Sequence, residues 1–324
     1  MASTRVLLSS ALLVAVAGLG GYRLGAGQSS AELEARLAEL EARVAKADEA
    51  RGKAQAKAEK AQQDAKVAKA KLDEAKPAAP SYTCNICKET GQFRRFAGRK
   101  GVVCPTCKSK ERHRLLMHWI ANASPLATEE LDVLHFSPED AEKDFLRKFE
   151  NLHYVTADYL HKEELRLDLT ALDLPDASWD VLIVYHILEH IVEDQRAMAE
   201  MFRVLRPGGM AILQVPIEVG REEIYEDASI VDPKERRKAF GQKDHVRRYS
   251  ASGFQVRLEQ AGFEVEAVDH IAELGPEEVA KHRMAGAWRT RQDERIWLAK
   301  KPEDAPGRKG KVKAKTEAGS AKAP

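Results

Sequence analysis

The stretch that decides the fold runs from residue 179 to residue 213 and reads WDVLIVYHILEHIVEDQRAMAEMFRVLRPGGMAIL. Short hydrophobic runs rich in β-branched residues, at 179–185 and 209–216, flank a segment whose apolar residues recur at helical spacing. Further strands are expected at 131–136 and 152–157, with helical segments between them. This alternation predicts an α/β fold: a doubly wound, mostly parallel sheet covered by helices on both faces.

The same pattern continues on either side of that stretch. Strands at residues 263–269 and 295–301 are expected to complete the sheet, and Pro207 with two glycines predicts a turn that re-enters it. We expect this domain to span residues 125–302. The lysine-rich segment 303–324 contains no aromatic residue and is expected to be a disordered basic tail.

Composition excludes some classes of protein. The 324 residues carry 52 Lys and Arg against 51 Asp and Glu, a net charge of +1. Such a balance provides no overall field for holding a nucleic acid, so a nucleic-acid partner is not expected. Four cysteines are too few for a disulfide-dense secreted scaffold.

The N-terminal segment contains an uncharged run at residues 6–22, with an arginine on each side. Seventeen such residues reach the short end of what spans a bilayer core as a helix. We therefore expect residues 1–24 to be a single-pass membrane anchor, with the globular part facing the cytoplasm. The alternative is a cleaved signal and an exported protein, because residues 15–17 form a small-residue cleavage pattern.

The next segment, residues 31–76, contains 15 Ala and 21 charged residues among its 46 positions. Apolar residues recur at alternating steps of four and three through Leu33, Leu37, Leu40 and Val44, and alanines continue the series. This predicts a helical stalk. It is either a coiled coil that self-associates weakly through this seam or a solvated single helix that acts as a spacer.

The cysteines form two CxxC pairs, Cys84 with Cys87 and Cys104 with Cys107, separated by sixteen residues. This is the spacing of a four-cysteine zinc ribbon, in which each CxxC turn supplies two thiolates to one edge of a tetrahedron. We expect residues 82–115 to hold one structural zinc ion, because a closed four-thiolate shell leaves no position for a water molecule. Two disulfides or a redox-active thiol pair are the alternatives.

Two aspartates follow hydrophobic runs at the expected strand ends. Asp158 lies 22 residues after Phe136, the distance at which an acidic residue accepts hydrogen bonds from ribose hydroxyls. The alternative is a loop aspartate that caps the next element. Asp168 closes the following run, where its carboxylate could face an adenine amine.

Residues 172–213 read LDLPDASWDVLIVYHILEHIVEDQRAMAEMFRVLRPGGMAIL and resemble the middle of class I S-adenosylmethionine-dependent methyltransferases of the type 11 domain. The resemblance extends over residues 125–300. It implies S-adenosylmethionine as cofactor, with Asp158 on its ribose. It also implies that Asp168 and Leu169 flank the adenine and that His186 lies near the methionine end. The segments CPTCKSKERHR and VLHFSPE resemble a subgroup that joins a cysteine ribbon to this domain.

The first strand departs from this family at its end. The family has a glycine-rich turn there, whereas this chain reads HFSPED over residues 135–140. A residue other than glycine does not easily take a positive φ or let the backbone approach a ligand closely. Either His135, Phe136 and Ser137 form a different floor under the methionine moiety, or cofactor binding is weakened or lost.

A second motif, His186-Ile-Leu-Glu189-His190, matches the HxxEH signature of inverted zinc proteases. That chemistry needs both histidines on one regular helix. His186 instead follows a hydrophobic strand directly, so we expect a strand-to-helix turn, with Glu189 and His190 at the rim of a pocket.

The polar insertion 217–249 is expected to act as a lid or to recognise the methyl acceptor. The residues predicted to contact the acceptor are Tyr225, Asp244, Arg247 and Tyr249. A structural ion-pair network is the alternative. If the acceptor must lose a proton, His186 or His245 is expected to serve as general base.

These observations lead to one hypothesis and one rival. The hypothesis is a membrane-tethered S-adenosylmethionine-dependent methyltransferase of unknown acceptor. The rival is a non-catalytic scaffold or binding protein in which a methyltransferase fold has lost its cofactor; the absent glycine turn favours it.

Overall fold

A computed structural model of the chain describes residues 30–74, 80–285 and 292–305. Residues 1–78 and 79–324 form two separate units. The predicted membrane segment, 6–22, and most of the basic tail lie outside the described residues. In the described ranges, no helix combines the length and the apolar character needed to cross a bilayer.

The described part of the first unit is one helix, α1, which runs over Ser30–Glu74. It is rich in alanine, lysine and glutamate, which are strong helix formers, and it contains an exposed Lys53–Glu49 ion pair at 2.6 Å. The seam residues Leu37, Leu40 and Val44 are 42%, 52% and 60% exposed in this single chain.

The second unit begins with two small hairpins that carry the cysteines. Strand β1 (Tyr82–Thr83) pairs with β2 (Thr90–Gly91), and β3 (Arg94–Phe96) pairs with β4 (Arg99–Val103), both antiparallel. Helix α2 follows over Glu111–Ala123.

The remaining elements alternate strands and helices. The strands are β5 (Leu131–Phe136), β6 (Leu152–Asp158), β7 (Leu165–Arg166), β8 (Trp179–Tyr185), β9 (Leu205–Gln214), β10 (Ile217–Glu218), β11 (Tyr225–Glu226), β12 (Arg247–Arg248), β13 (Glu264–Val268), β14 (Gln292–Asp293) and β15 (Ile296–Lys300). The helices are α3 (Asp140–Leu146), α4 (Asp194–Val204), α5 (Pro233–Phe240), α6 (Ala251–Gln260), α7 (His270–Glu273) and α8 (Pro276–His282). Single 3₁₀ turns lie at Pro125–Ala127 and Leu188–His190.

Seven of these strands form one sheet in the order β13-β15-β9-β8-β5-β6-β7. The pairs from β9 to β7 are parallel, whereas β15 runs antiparallel to both β9 and β13. The predicted doubly wound, mostly parallel sheet is confirmed. The chain leaves β5 toward β6 on one side and returns to β8 on the other, so the strand order reverses between β5 and β8. Ligands of such sheets bind beyond the carboxyl ends of the strands at this point.

Side chains of the central strands alternate between two hydrophobic clusters, one on each face of the sheet. Leu134, Leu182 and Leu213 belong to one cluster, and Val133 and Val181 belong to the other. The second cluster also includes ribbon residues, namely Cys84, Ile86, Phe93 and Cys104. The cysteine hairpins therefore share a core with one face of the sheet.

Two details differ from the sequence-based expectations. Pro207 and its two glycines do not precede the strand but lie within β9, where the pairing with β8 is irregular between Trp179 and Val181. Gly209 is needed there, because a Cβ atom would lie 2.7 Å from the carbonyl oxygen of Asp180. The helix expected after β8 begins only at Asp194, after the Leu188–His190 turn.

Candidate active site

Two residues with left-handed backbone mark the switch point of the sheet. Ser137, directly after β5, has φ 48°, and His186, directly after β8, has φ 56°. Non-glycine residues adopt such angles rarely and at a cost, and they cluster at functional sites. Ser137 therefore takes the positive φ that a glycine would have provided. A positive φ was not expected from the sequence, because no glycine is present at this turn.

Asp158 ends β6 beside this turn and is 5% exposed. The amide of Ser137 donates to the carbonyl of Ala157 at 2.8 Å, which joins the two strand ends. Burial alone would raise the pKa of Asp158, but hydrogen bonds from Ser137, His161 and Leu160 hold that pKa below its usual value. Its Oδ1 accepts the amides of Leu160 and His161, both at 2.6 Å, so the carboxylate also caps the following turn.

His135 and Phe136 were expected to lie beneath the cofactor, and the structure does not support that role. Both side chains are buried, at 1% and 3% exposure, and Phe136 packs in the hydrophobic core. Nδ1 of His135 shares a hydrogen bond with the Tyr154 hydroxyl at 2.9 Å. Burial lowers the pKa of His135 to about 3, so this imidazole is neutral at physiological pH. Of the three residues predicted there, only Ser137 is exposed.

Asp168 and Leu169 follow β7, the edge strand that lies beside β6 in the sheet. The Asp168 carboxylate accepts the amide of Thr170 at 2.8 Å and its hydroxyl at 2.7 Å. Leu169 is 4% exposed and packs in the core. The local turn therefore accounts for the contacts of the Asp168 carboxylate, and core packing accounts for those of Leu169.

His186 lies between two buried polar side chains. Its Nδ1 is 3.1 Å from Oε1 of Glu189, and its Nε2 is 3.1 Å from Oε1 of Gln214, at the end of β9. Gln214 donates its amide to the carbonyl of Glu294 at 3.1 Å, which orients its oxygen toward the imidazole. Because both ring nitrogens already lie within hydrogen-bond distance of side-chain oxygens, His186 has no free ring nitrogen for the predicted role as general base.

Glu189 and His245 lie next to this histidine. Burial alone would raise the pKa of Glu189, but the hydrogen bond with His186 keeps that pKa below its usual value. His245 is 4% exposed, and burial lowers its pKa, so its imidazole is neutral at pH 7. His245 is thus the better of the two predicted bases.

Two predicted acceptor residues, Arg247 and Tyr249, are buried structural residues. Tyr249 is fully buried and donates its hydroxyl to Asp194 at 2.6 Å. Arg247 donates to Glu226 at 2.8 Å and to the carbonyls of Leu188 and Val192 at 3.0 and 2.7 Å. This is the ion-pair network that the sequence left as the alternative, so the structure does not support an acceptor role for these two residues.

The other two predicted acceptor residues are exposed. Tyr225 is 39% exposed and packs on the ring of Phe240 at 5.6 Å. The Asp244 side chain is 53% exposed and lies 3.8 Å from Nδ1 of His190. Both are accessible to a ligand.

Sequence reasoning missed Gln214, Asp194, Glu226 and Arg257. Arg257 bridges Asp194 at 2.6 Å and Glu226 at 2.6 Å, and these side chains line a cavity of about 510 Å³ beside α4. A polar residue at the end of a hydrophobic strand was the available signal for Gln214. The other three are common surface types, and nothing in their spacing distinguishes them.

The four cysteines converge as predicted. Their thiols are free, and all four sulfur atoms lie within 4.8 Å of one another. The two knuckles are alike. The backbone amides of Lys88 and Lys108 donate to the carbonyls of Cys84 and Cys104, respectively, and both lysines have positive φ. The Cys84–Cys107 thiol contact lowers the pKa of Cys84 to about 4 and raises that of Cys107.

Arg114 joins the ribbon to the rest of the unit. It is fully buried and lies 4.7 Å above the Phe93 ring. Its guanidinium donates to carbonyls on both sides of the junction: Ser109 at 2.6 Å, Val102 at 2.9 Å, His282 at 2.8 Å and Arg283 at 2.8 Å.

Part of the chain is similar to known proteins. Residues 140–213, from α3 to β9, match the family model described as a methyltransferase domain. The matched stretch lies within the doubly wound sheet and includes β6, β7 and β8.

Relatives described as probable S-adenosylmethionine-dependent methyltransferases match part of the chain. A probable S-adenosylmethionine-dependent methyltransferase of Mycolicibacterium smegmatis is 32% identical over 117 residues, covering 35% of this chain and 39% of that protein. Another, from Mycobacterium tuberculosis, is 35% identical over 63 residues, covering 19% and 23%. The chain therefore spans less than half the length of these curated relatives.

Solved structures also resemble part of the chain. An S-adenosylmethionine-dependent methyltransferase from Mesorhizobium loti is 15% identical, covers 58% of this chain and 96% of its own, and has a TM-score of 0.41.

Proposed function

We propose that this protein is an S-adenosylmethionine-dependent methyltransferase whose acceptor is not specified by the residues described. The observation that carries the proposal is the turn after β5, where Ser137 takes φ 48° next to the buried carboxylate of Asp158. This supplies, without glycine, the backbone path that a cofactor needs at the switch point. The match over residues 140–213 supports the same function.

The chain's own residues would divide the work as follows. The cofactor, when bound, would supply a sulfonium-activated methyl group, and placement of the acceptor in line with it would provide most of the acceleration. Asp158 would accept hydrogen bonds from the ribose. His186, whose ring is fixed by Glu189 and Gln214, would lie beside the methionine end.

An acceptor that carries a proton on its attacking atom also needs a base. Such an acceptor would release its proton as it takes the methyl group from the bound cofactor. His245 would take that proton, because its buried imidazole is neutral at pH 7.

The test is calorimetric titration of S-adenosylhomocysteine into the purified full-length chain. We expect saturable binding by the wild type and at least tenfold weaker binding by Asp158→Ala. Asp173→Ala, an exposed aspartate beyond β7, is the matched control and should leave the affinity unchanged. Absence of binding at millimolar ligand would overturn the proposal and favour the non-catalytic scaffold.

We also propose that the cysteine ribbon binds one structural zinc ion. Zn–S bonds of about 2.3 Å place the thiolates of a tetrahedral site about 3.8 Å apart. The sulfur atoms of Cys84 and Cys107 are 3.6 Å apart, and those of Cys87 and Cys104 are 3.7 Å apart, which fits that geometry. Zinc would neutralise the crowded thiolates and close the two knuckles.

A third proposal concerns location. The uncharged run at residues 6–22 supports a membrane anchor, with the enzyme facing the cytoplasm and the exposed seam of α1 available for weak self-association. Alkaline carbonate extraction should leave the full-length chain in the membrane and release a variant without residues 1–24. Recovery of a mature chain that begins near residue 18 would instead indicate a cleaved signal and export.

A further inference from the structure

A second group of metal-ligating side chains lies beyond the carboxyl end of β8. It consists of Glu189, His190 and His245, whose ligand atoms all lie within 4.8 Å of one another. These three residues are separate from the cysteine ribbon, and only His245 among them has a role in the proposed methyl transfer. We refer to these three residues as the His-Glu cluster.

The fold holds these residues in place from two separate segments. Glu189 and His190 lie in the 3₁₀ turn after β8, and His245 precedes β12. The amide of Val246 donates to the carbonyl of Glu189 at 2.9 Å, which joins the two segments. As a result, the rings of His190 and His245 meet at right angles with their centroids 4.7 Å apart.

Glu189 supplies an independent indication of a ligand. The residue is 1% exposed, and its Oε1 is engaged by His186 at 3.1 Å. Its Oε2 is buried and has no hydrogen-bond partner in the described part of the chain. A buried carboxylate oxygen without a partner is costly, and a cation beside it would remove that cost.

We propose that the His-Glu cluster binds a divalent transition-metal ion through Glu189, His190 and His245. Two imidazoles and one carboxylate form a donor set typical of iron, cobalt, manganese and zinc sites, and three protein ligands leave coordination positions open. Asp244, 3.8 Å from Nδ1 of His190, would orient that ring, and His186 would orient the carboxylate.

This site differs from the protease site that the HxxEH pattern suggests. His186 is engaged by Glu189 and Gln214, so His245, from the polar insertion, takes its place as the second imidazole. If the proposed methyltransferase activity is correct, the open positions would bind oxygen or nitrogen atoms of the acceptor. The bound ion would then replace His245 in assisting loss of the acceptor's proton, because a metal-bound neutral imidazole has no free nitrogen to accept one. Binding of the ion itself does not depend on that activity.

The test is a titration of the full-length, zinc-loaded chain with Co²⁺, followed by visible absorption. We expect one equivalent to give d–d bands without thiolate charge transfer, because the ion would meet only nitrogen and oxygen ligands. His190→Asn and His245→Asn should each weaken this binding at least tenfold. His153→Asn, an exposed histidine paired with Asp132, is the matched control and should bind Co²⁺ like the wild type.

Absence of a thiolate-free Co²⁺ spectrum at millimolar metal would overturn the inference, as would binding that survives in both cluster variants. His190 is one-third exposed, so His190→Asn should keep its fold and remain informative even if His245→Asn does not fold. Titration of S-adenosylhomocysteine into the same preparation separates the two proposals. Binding of S-adenosylhomocysteine without binding of Co²⁺ would contradict only the metal site. Binding of Co²⁺ without binding of S-adenosylhomocysteine would contradict only the methyltransferase proposal.

Discussion

The ribbon cysteines and the His-Glu cluster are both groups of ligand atoms gathered within 4.8 Å, yet they are built differently. Each ribbon half is a local knuckle, in which a CxxC pair and two backbone hydrogen bonds set the geometry. The His-Glu cluster joins a turn after β8 to a distant insertion. A site built from residues close together in the chain can be predicted from their spacing. A site whose residues come from distant segments of the fold cannot.

The two groups also differ in how much they need an ion. In the proposed zinc site four thiolates would repel one another, so the ribbon would need a cation to keep them deprotonated. In the His-Glu cluster the carboxylate of Glu189 is already paired with His186, and the other two ligands are imidazoles rather than thiolates. Loss of the ion should therefore cost stability at the ribbon and only ligand binding at the cluster.

The largest expected effect is that of Cys104→Ser, which tests this contrast directly. The variant should release zinc and lower the free energy of unfolding by at least about 3 kcal/mol, because structural zinc binding is coupled to folding. His190→Asn should change that free energy by less than about 0.5 kcal/mol. Mass spectrometry measures the zinc content of each variant, and urea unfolding measures its free energy of unfolding. A metal-free, oxidised wild type would contradict the zinc site and support disulfides.

Arg114→Met sharpens the contrast by testing whether the ribbon stabilises the domain through contact. Removing the buried guanidinium leaves four carbonyls without their donor, so we expect a loss of about 3 kcal/mol or more in the free energy of unfolding. Urea unfolding measures it. Arg95→Met, an exposed arginine of β3, is the control. Equal stability of the two variants would mean that the ribbon folds independently of the sheet.

Glu142 provides a comparison for Glu189, since each is a buried carboxylate with one unpaired oxygen. Without a histidine partner, burial raises the pKa of Glu142 from 4.5 to about 7. The folded state therefore keeps a proton that the unfolded state releases, and the stability contributed falls as pH rises from about 4.5 to about 7.

Glu142→Gln should remove this dependence. Relative to the variant, the wild type should lose about 1–3 kcal/mol between those pH values and remain level above them. Urea unfolding across that pH range measures the difference, with the exposed Glu150→Gln as control. Parallel curves for wild type and Glu142→Gln would show that burial does not perturb this carboxyl.

The smallest effect concerns the turn after β5. Ser137→Val places a β-branched residue at φ 48°, which costs about 1–2 kcal/mol and should weaken S-adenosylhomocysteine binding about tenfold. Ser137→Gly keeps the backbone path and should bind within about threefold of wild type. Calorimetry decides between them. A glycine variant as weak as the valine variant would assign the effect to the serine hydroxyl rather than to the backbone angle.

Much of the fold follows from local pattern. The hydrophobic runs that became β5, β6, β8 and β9 were visible because buried parallel strands require continuous apolar residues. Helix boundaries were less accessible, since α4 begins at Asp194 only after a turn set by contacts with the insertion. Among the predicted site residues, Ser137, Asp158 and His186 lie at the switch point. His135, Phe136, Arg247 and Tyr249 are buried instead.

The sequence by itself determined the class of sheet, the cysteine ribbon spacing and the position of the polar strand ends, because each depends on residues close together in the chain. Tertiary structure alone decided that Ser137 adopts glycine-like backbone, that Arg114 joins ribbon to sheet, and that His245 meets Glu189 and His190. These outcomes depend on burial and on hydrogen bonds between distant segments. A short polar side chain or a buried charge is tolerated only where such partners surround it.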